Sequence, residues 1–306
     1  MKVSVVLCTY SLEMYDHFRE AAEAVLDQRY DDVELVVVVD GTEEVYERVR
    51  ADYGGRDRVV LHCNDENSGL LKSRNRGAEL ATGDVVAFID DDAVPDEGWV
   101  AELVDTYERR DAVAAGGRMT PAWVDGKPSF LPEEHYWLVG VTHRGYGDEP
   151  AEVRNTFGSN VSFRREAFLE LGGFDPNIGG RKGDRNLQGG ETELCARLER
   201  EYGEGVWYNP DAEVAHMVFE YRTDPVWLLE RAFWQGYSKR AMETLVPEST
   251  GEESEFLGDL LFRFAPDRAK RTARTRSGTE ALQLVMLLAF TGVVGLGYLY
   301  GFRHWR

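Results

Sequence analysis

Cysteine is scarce in this chain and falls into no pattern. Cys8, Cys63 and Cys195 form no Cys-x-x-Cys pair and no metal-ligand spacing, so neither a disulfide framework nor a zinc site is indicated. All three are expected as buried small hydrophobes in a reducing compartment. Lysine is nearly as rare, with six among 35 basic residues set against 55 acids and a net charge of −20. That excess, without a basic footprint before the C-terminal region, excludes a nucleic-acid binder. The acids are spread through the chain rather than gathered in a tail, which suits either a protein kept soluble at high salt, from a halophilic source, or an ordinary acidic cytoplasmic enzyme. No Gly-x-Gly-x-x-Gly follows the first predicted strand, so nicotinamide binding has no support. No signal-peptide pattern precedes that strand either, and the N-terminal domain is expected to begin and stay inside the cell.

What is present is most concentrated at Val85-Val86-Ala87-Phe88-Ile89-Asp90-Asp91-Asp92, an apolar run ending in three carboxylates. The run suits a central strand of an α/β sheet, where ligands bind beyond the carboxyl ends of the strands. In an extended chain Asp90 and Asp92 point to one side and Asp91 to the other, so the outer pair can share one divalent ion and a diphosphate bound to it. The alternative is a solvated acidic turn. Around this run, residues 3–8, 34–39 and 59–63 read as strands, and 13–28, 43–52 and 70–81 as helices. This βαβ rhythm predicts a mostly parallel, doubly wound sheet within a chain of 306 residues, long enough for one large domain plus an appendage.

Residues 113–220 are less regular and richer in glycine and aromatics, with landmarks at Gly158-Ser159-Asn160, Gly172-Gly173-Phe174-Asp175 and Gly190-Glu191-Thr192-Glu193-Leu194. The stretch 178–190 carries Arg181, Lys182 and Arg185 among glycines, as a lid closing on an anionic substrate or as a plain connector. Residues 224–245 are helical in pattern, either interfacial against lipid headgroups or packed on the protein. Eight basic and two acidic residues from position 263 to 306 give +6 and leave −26 in the first 262. Residues 281–301 then run 21 positions without a charge, long enough to span a bilayer, although Gln283 and four glycines also fit a buried or re-entrant segment. The positive-inside rule places the Arg-rich side in the cytoplasm.

Taken in order, these pieces resemble the family 2 glycosyltransferases. They are Ser4 through Thr9-Tyr10, Asp40-Gly41, Asn67-Ser68-Gly69, Arg74-Asn75-Arg76-Gly77, Ala81-Thr82-Gly83-Asp84, Asp90-Asp91-Asp92, and the three later landmarks. The resemblance covers roughly residues 1–240 and implies a GT-A fold: Rossmann-like α/β, a mostly parallel mixed sheet flanked by helices, here with a C-terminal membrane-associated helical region. With the basic segment and uncharged run that follow, the chain is expected to divide into a catalytic domain at 1–245, a basic juxtamembrane linker at 246–280 and a transmembrane helix at 281–301. It places Thr9, Tyr10, Asp40, Asn67, Arg74, Asp90 and Asp91 on the nucleotide-sugar donor, and Asp90, Asp92 and His216 on Mg²⁺ or Mn²⁺. Gly158, Asn160, Arg181, Arg185 and Arg231 fall on the acceptor and lid side. Where the family has a Glu-Asp pair this chain reads Gly190-Glu191, so Glu191 is the general base or merely orients the lid, while Glu193 is read as structural. A packed core role stands beside the metal role for His216, as does surface ion pairing for Arg231.

The resemblance is strongest to haloarchaeal enzymes that extend dolichol-phosphate-linked glycans for N-glycosylation of surface-layer glycoprotein, and among these to glucuronosyltransferases. That implies UDP-glucuronic acid as the UDP-sugar donor, a lipid-linked saccharide acceptor, the cell membrane, and other enzymes of the same glycan pathway as partners. The alternatives are a polyprenyl-phosphate sugar synthase, a surface-polysaccharide transferase, and a non-catalytic nucleotide-sugar-binding membrane subunit.

Overall fold

The computed structural model describes residues 1–182, 185–246 and 252–305. They divide into two compact units, Met1–Thr120 with Asp148–Asn177 and Gly190–His216, and Pro121–Gly147 with Ile178–Gly189 and Met217–Arg306.

The first unit is built on strands β1 (Val3–Thr9), β2 (Val33–Val39), β3 (Val59–Cys63), β4 (Val85–Asp90), β5 (Ala93–Pro95), β6 (Ala114–Trp123), β7 (Ala151–Val153), β8 (Val161–Arg164) and β11 (Val206–Val218). They form one sheet in the order β3-β2-β1-β4-β8-β6-β11-β5, with β7 also paired to β11. The β1 to β4 pairs are parallel, as the βαβ rhythm predicts, and the sheet turns antiparallel at β8. β1, β2 and the apolar part of β4 are buried throughout, which is why they read as mainly apolar runs, interrupted by Ser4 and Glu34, rather than alternating ones. The register sets Cys8 beside Asp90 and Thr9 beside Val39, so Thr9, Asp40 and the acid run reach one carboxyl edge.

Helices α1 (Tyr15–Leu26), α2 (Glu43–Tyr53), α3 (Leu70–Leu80), α4 (Trp99–Arg110), α5 (Arg165–Glu170) and α6 (Gly190–Tyr202) flank the sheet strands. Only glycine at position 77 lets α3 lie close to β1, because a Cβ there would meet Val6 Cγ1 at 2.3 Å. Phe88, Phe163, Phe168 and Phe174 form one aromatic cluster with centroids 5.2–6.4 Å apart. Cys8 and Cys195 are buried with thiol pKa values pushed up by that burial, whereas Cys63 is only partly covered.

The second unit contains a hairpin of β9 (Gly180–Lys182) and β10 (Arg185–Leu187), and helices α7 (Pro225–Leu245), α8 (Glu252–Asp259), α9 (Ala265–Thr275) and α10 (Gly278–Gly301). A π-helical turn, Leu260–Phe264, joins α8 to α9. Asp224 caps α7 by accepting from the amides of Val226 and Trp227, and Pro225 occupies the first helical position, where no amide is needed. The segment expected as a linker therefore holds two helices. α10 is long and apolar enough to cross a membrane.

Candidate active site

Asp40, at the end of β2, organises the loop that leads into α3. Its Oδ1 accepts from Asn64 Nδ2 and the Ser68 amide, and its Oδ2 from the Gly69 amide, all at 2.8 Å. Gly41, with φ +72°, is required beside it, since a Cβ would collide with the Asn67 amide nitrogen at 2.1 Å. Asn67 itself is exposed. Tyr10 stands 58% exposed just past β1, while Thr9 is buried.

From α3, Arg74 reaches the centre of the unit. Only 2% of it is exposed, and it joins two carboxylates: Nη2 donates to Asp90 Oδ1 at 2.6 Å and Nη1 to Glu191 Oε1 at 3.0 Å. Its guanidinium lies over the Phe174 and Phe88 rings at 5.7 and 6.0 Å. Burial opposes the charge of Arg74, but Asp90 and Glu191 outweigh it and hold the guanidinium pKa above its ordinary value. Glu191 sits in the first turn of α6, where the helix dipole also favours a carboxylate.

Two glycines make this arrangement possible. A Cβ at Gly158 would lie 2.2 Å from Glu191 Oε1 and 2.7 Å from Arg74 Nη1, so the salt bridge fills the space a side chain would need. At Gly173, with φ +69°, a Cβ would meet Asn75 Oδ1 at 2.5 Å. Asn75 exchanges two hydrogen bonds with the Phe174 backbone, at 2.8 and 2.9 Å, and so fixes the aromatic floor beneath Arg74. Glu193, buried and gripping Arg197 through both oxygens at 2.6 and 2.7 Å, braces the same turn, because Arg197 also donates to the Gly173 carbonyl at 2.7 Å.

The acid run departs from simple alternation. β4 ends at Asp90, and Asp91 and Asp92 form a turn before β5, so the two outer acids do not project as strand neighbours. Both Asp90 oxygens are engaged, by Arg74 and by the Ser159 hydroxyl. Asp92 instead stands with His216, whose Nε2 lies 3.5 Å from Asp92 Oδ2. The pairing of β11 with β5 brings them together by setting His216 opposite Ala93. Burial, and then the neighbouring Asp90 and Asp92, push the Asp91 carboxyl up to about 7, against the opposing effect of the Thr9 hydroxyl.

Among the described residues no three His, Cys, Asp or Glu side chains converge into a complete metal cage. A carboxylate oxygen and an imidazole nitrogen at this separation still fit a divalent ion, which in nucleotide sites commonly takes one or two protein ligands and fills the rest with phosphate and water.

Residues 4–172 match the family described as "Glycosyl transferase family 2". The chain belongs to the family 2 glycosyltransferases. It is 53% identical over 302 residues to a protein named glucosyl-dolichyl phosphate glucuronosyltransferase from Haloferax volcanii, covering 98% of this chain and 96% of that one. In fold it resembles the mannosyltransferase PcManGT of Pyrobaculum calidifontis, solved in complex with GDP-Man and Mn²⁺, with a TM-score of 0.59 at 17% identity over 98% of this chain and 87% of that one. TarS 1–349 of S. aureus, solved with UDP-GlcNAc, superposes with a TM-score of 0.56 at 15% identity, covering 98% and 84%.

In this glycosyltransferase, Asn160 corrects an expectation. It is fully buried, accepts from Trp99 Nε1 at 2.8 Å and donates to the carbonyls of Arg118 and Ala212 at 3.0 and 2.8 Å, so its amide is consumed in holding strands together rather than meeting an acceptor. Arg231 belongs to the second unit, over the Trp227 ring at 6.0 Å. The backbone of Arg181 and Arg185 forms the hairpin, and the Gln188 amide after it donates to Ser238 Oγ on α7 at 2.9 Å. The side chains of Arg181, Lys182 and Arg185 lie outside the described residues. Ser159, Asn75 and Arg197 are the site-building residues that sequence reasoning passed over, although the first two lie inside motifs it had marked.

Proposed function

We propose that this glycosyltransferase is an inverting, metal-dependent enzyme that moves glucuronic acid from UDP-glucuronic acid to the sugar of a dolichol-phosphate-linked saccharide. Its pathway is the N-glycosylation of surface-layer glycoprotein. The observation that carries the reaction is Arg74, which ties the acid run and Glu191 to one guanidinium. Donor and acceptor are carried over from the near full-length relative.

Glu191 accepts the proton of the acceptor hydroxyl as that oxygen attacks the anomeric carbon in a single displacement. Arg74 holds Glu191 in place through its Nη1. The exposed ring of Tyr10 offers a face to the uracil, with Thr9, Asp40 and Asn67 shaping the nucleoside pocket. Asp90 acts on the donor side by orienting Arg74. Bound Mg²⁺ or Mn²⁺ supplies Lewis-acid charge for the departing diphosphate, and Asp92 and His216 are the residues that would hold it. Gly158, on the acceptor side, leaves the room that Glu191 and Arg74 occupy, and Arg181, Arg185 and Arg231 serve the sugar carboxylate and lipid phosphate.

In this reading residues 1–245 carry catalysis on the cytoplasmic side, 246–280 form the juxtamembrane segment, and 281–301 reach the cell membrane, by one crossing or by lying along its surface. The test is a transfer assay in high salt with Mn²⁺, a panel of UDP-sugars, and glucosyl-dolichyl phosphate beside bare dolichyl phosphate. Glucuronosyl transfer to the glucosylated lipid is expected. Transfer to bare lipid phosphate would make the protein a synthase, and no turnover of any donor would make it a binding subunit.

A further inference from the structure

The ends of α10 are tied down by polar groups. Near its start Gln283 is held on both sides: its Oε1 accepts from Arg268 Nη1 at 2.5 Å, and its Nε2 donates to the Ser129 carbonyl at 2.8 Å. Arg268 is itself 2% exposed and paired with the fully buried Glu134 at 2.6 Å. Near the other end the Tyr298 hydroxyl meets both oxygens of Glu243 on α7, at 2.8 and 3.0 Å, and Arg240 of α7 pairs with Glu243 at 2.8 Å and donates to the Trp305 carbonyl at 3.3 Å. Between Gln283 and Tyr298 lie 14 residues. At about 1.5 Å each they reach about 21 Å, well short of the roughly 30 Å of a bilayer's hydrocarbon core.

The middle of α10 is also committed. A Cβ at Gly297 would lie 1.9 Å from the Phe233 carbonyl, and one at Gly236 would lie 1.9 Å from the Val294 carbonyl, so the two helices touch backbone to backbone. Sinking α10 across a bilayer would drag the charged Glu243 and Arg240 towards the hydrocarbon with it, and ionised side chains there are costly even when paired.

The opposite face is apolar and uncovered. Val285, Leu288, Leu296 and Leu299 fall on one stripe and are each more than half exposed. In the same unit Leu260 and Phe264 pack against Leu287 of α10 while Phe262, between them in sequence, is 83% exposed. Arg263, Lys270, Arg274 and Arg276 of the same unit are exposed as well, within residues 263–306, which carry eight basic and two acidic residues. A hydrophobic stripe and a cationic fringe complement an anionic lipid surface, which would repel the rest of the chain.

We propose that α10 does not cross the membrane: α7 and α10 form a clasped pair that lies in the interface of an anionic leaflet. Val285, Leu288, Leu296, Leu299 and Phe262 enter the lipid, and the end of the chain stays on the cytoplasmic side. This rests on the membrane part of the function proposed above.

The test uses the full chain with an epitope tag after Arg306, expressed and recovered in sealed inverted membrane vesicles. Protease added outside should remove the tag together with the catalytic unit, whereas a tag that survives digestion would establish a crossing and overturn the proposal. Purified full chain should also float with phosphatidylglycerol vesicles at least tenfold more than with phosphatidylcholine vesicles, and Phe262→Asp with Leu296→Asp should abolish the difference. Equal flotation of wild type with both lipids, or none, would overturn it too. Hydrolysis of UDP-sugar in detergent, measured on the same preparations, reports separately on the catalytic reading.

Discussion

Arg74 and Glu191 are 117 positions apart in the chain and 3.0 Å apart in the fold, with Asp90 on the other arm of the same guanidinium. The buried arginine thereby couples the strand that carries the acid run to the helix that carries the candidate base.

Removing it should be expensive. Arg74→Ala strands Asp90 and Glu191 without their cation, a loss of about 3–5 kcal/mol for a broken buried pair. Arg74→Lys keeps the charge but not the two-armed fork, so it should recover most of the stability and little of the activity. Urea midpoints and kcat/KM for the two variants check this.

Gly158→Ala tests whether the site tolerates any displacement. The new methyl would press Glu191 and Arg74 apart. Misplacing a catalytic group by about 1 Å costs on the order of 10²-fold in rate, so kcat should fall by that order, and the unfolding midpoint should fall with it because crowding a buried ion pair also costs stability.

The aromatic floor depends on Asn75. Replacing it with leucine breaks both bonds to Phe174 and leaves that backbone unpaired in a covered place. We expect a loss of about 2 kcal/mol, read from chemical denaturation, with a parallel drop in activity because Phe174 lies under Arg74.

Acid should loosen the second unit. Burial lowers His135 to about 3 and His143 to about 4, with His143 adding to the effect at His135 and Lys239 at His143. Groups with folded pKa values below the unfolded value of about 6.5 favour the folded state at neutral pH and lose that contribution as the unfolded chain takes up protons. Stability should therefore fall from pH 6.5 towards pH 4, visible as a falling urea midpoint followed by tryptophan fluorescence, since the Trp137 ring lies tilted beside His135 with centroids 5.7 Å apart. His135→Phe should flatten that slope.

Much of the first unit was legible because buried parallel strands leave nearly continuous apolar runs. The strand expected at 59–63 is β3 itself, and the helix expected at 70–81 differs from α3 by one residue. The acid run closes β4 as expected, but its outer acids do not alternate as strand neighbours. Alternation assumes an extended chain, and this one turns at Asp91. The partner of Asp92 is His216 on a distant strand, a contact set by the pairing of β11 with β5, which no local pattern encodes. Asn160 misled for a related reason, because a motif marks that a residue matters without saying whether it meets a substrate or holds two strands. The glycines of α10 weakened its reading as a span, and two of the helical glycines turn out to be contact points between α7 and α10.

The most direct test of Glu191 as base is single-turnover transfer by Glu191→Gln, with donor binding measured on the same protein. A glutamine oxygen can still accept from Arg74, so the fold and the affinity for UDP-sugar should be retained while the transfer rate drops by about 10²–10⁴-fold. Transfer at the wild-type rate would show that another group takes the acceptor's proton, and the central claim would fail.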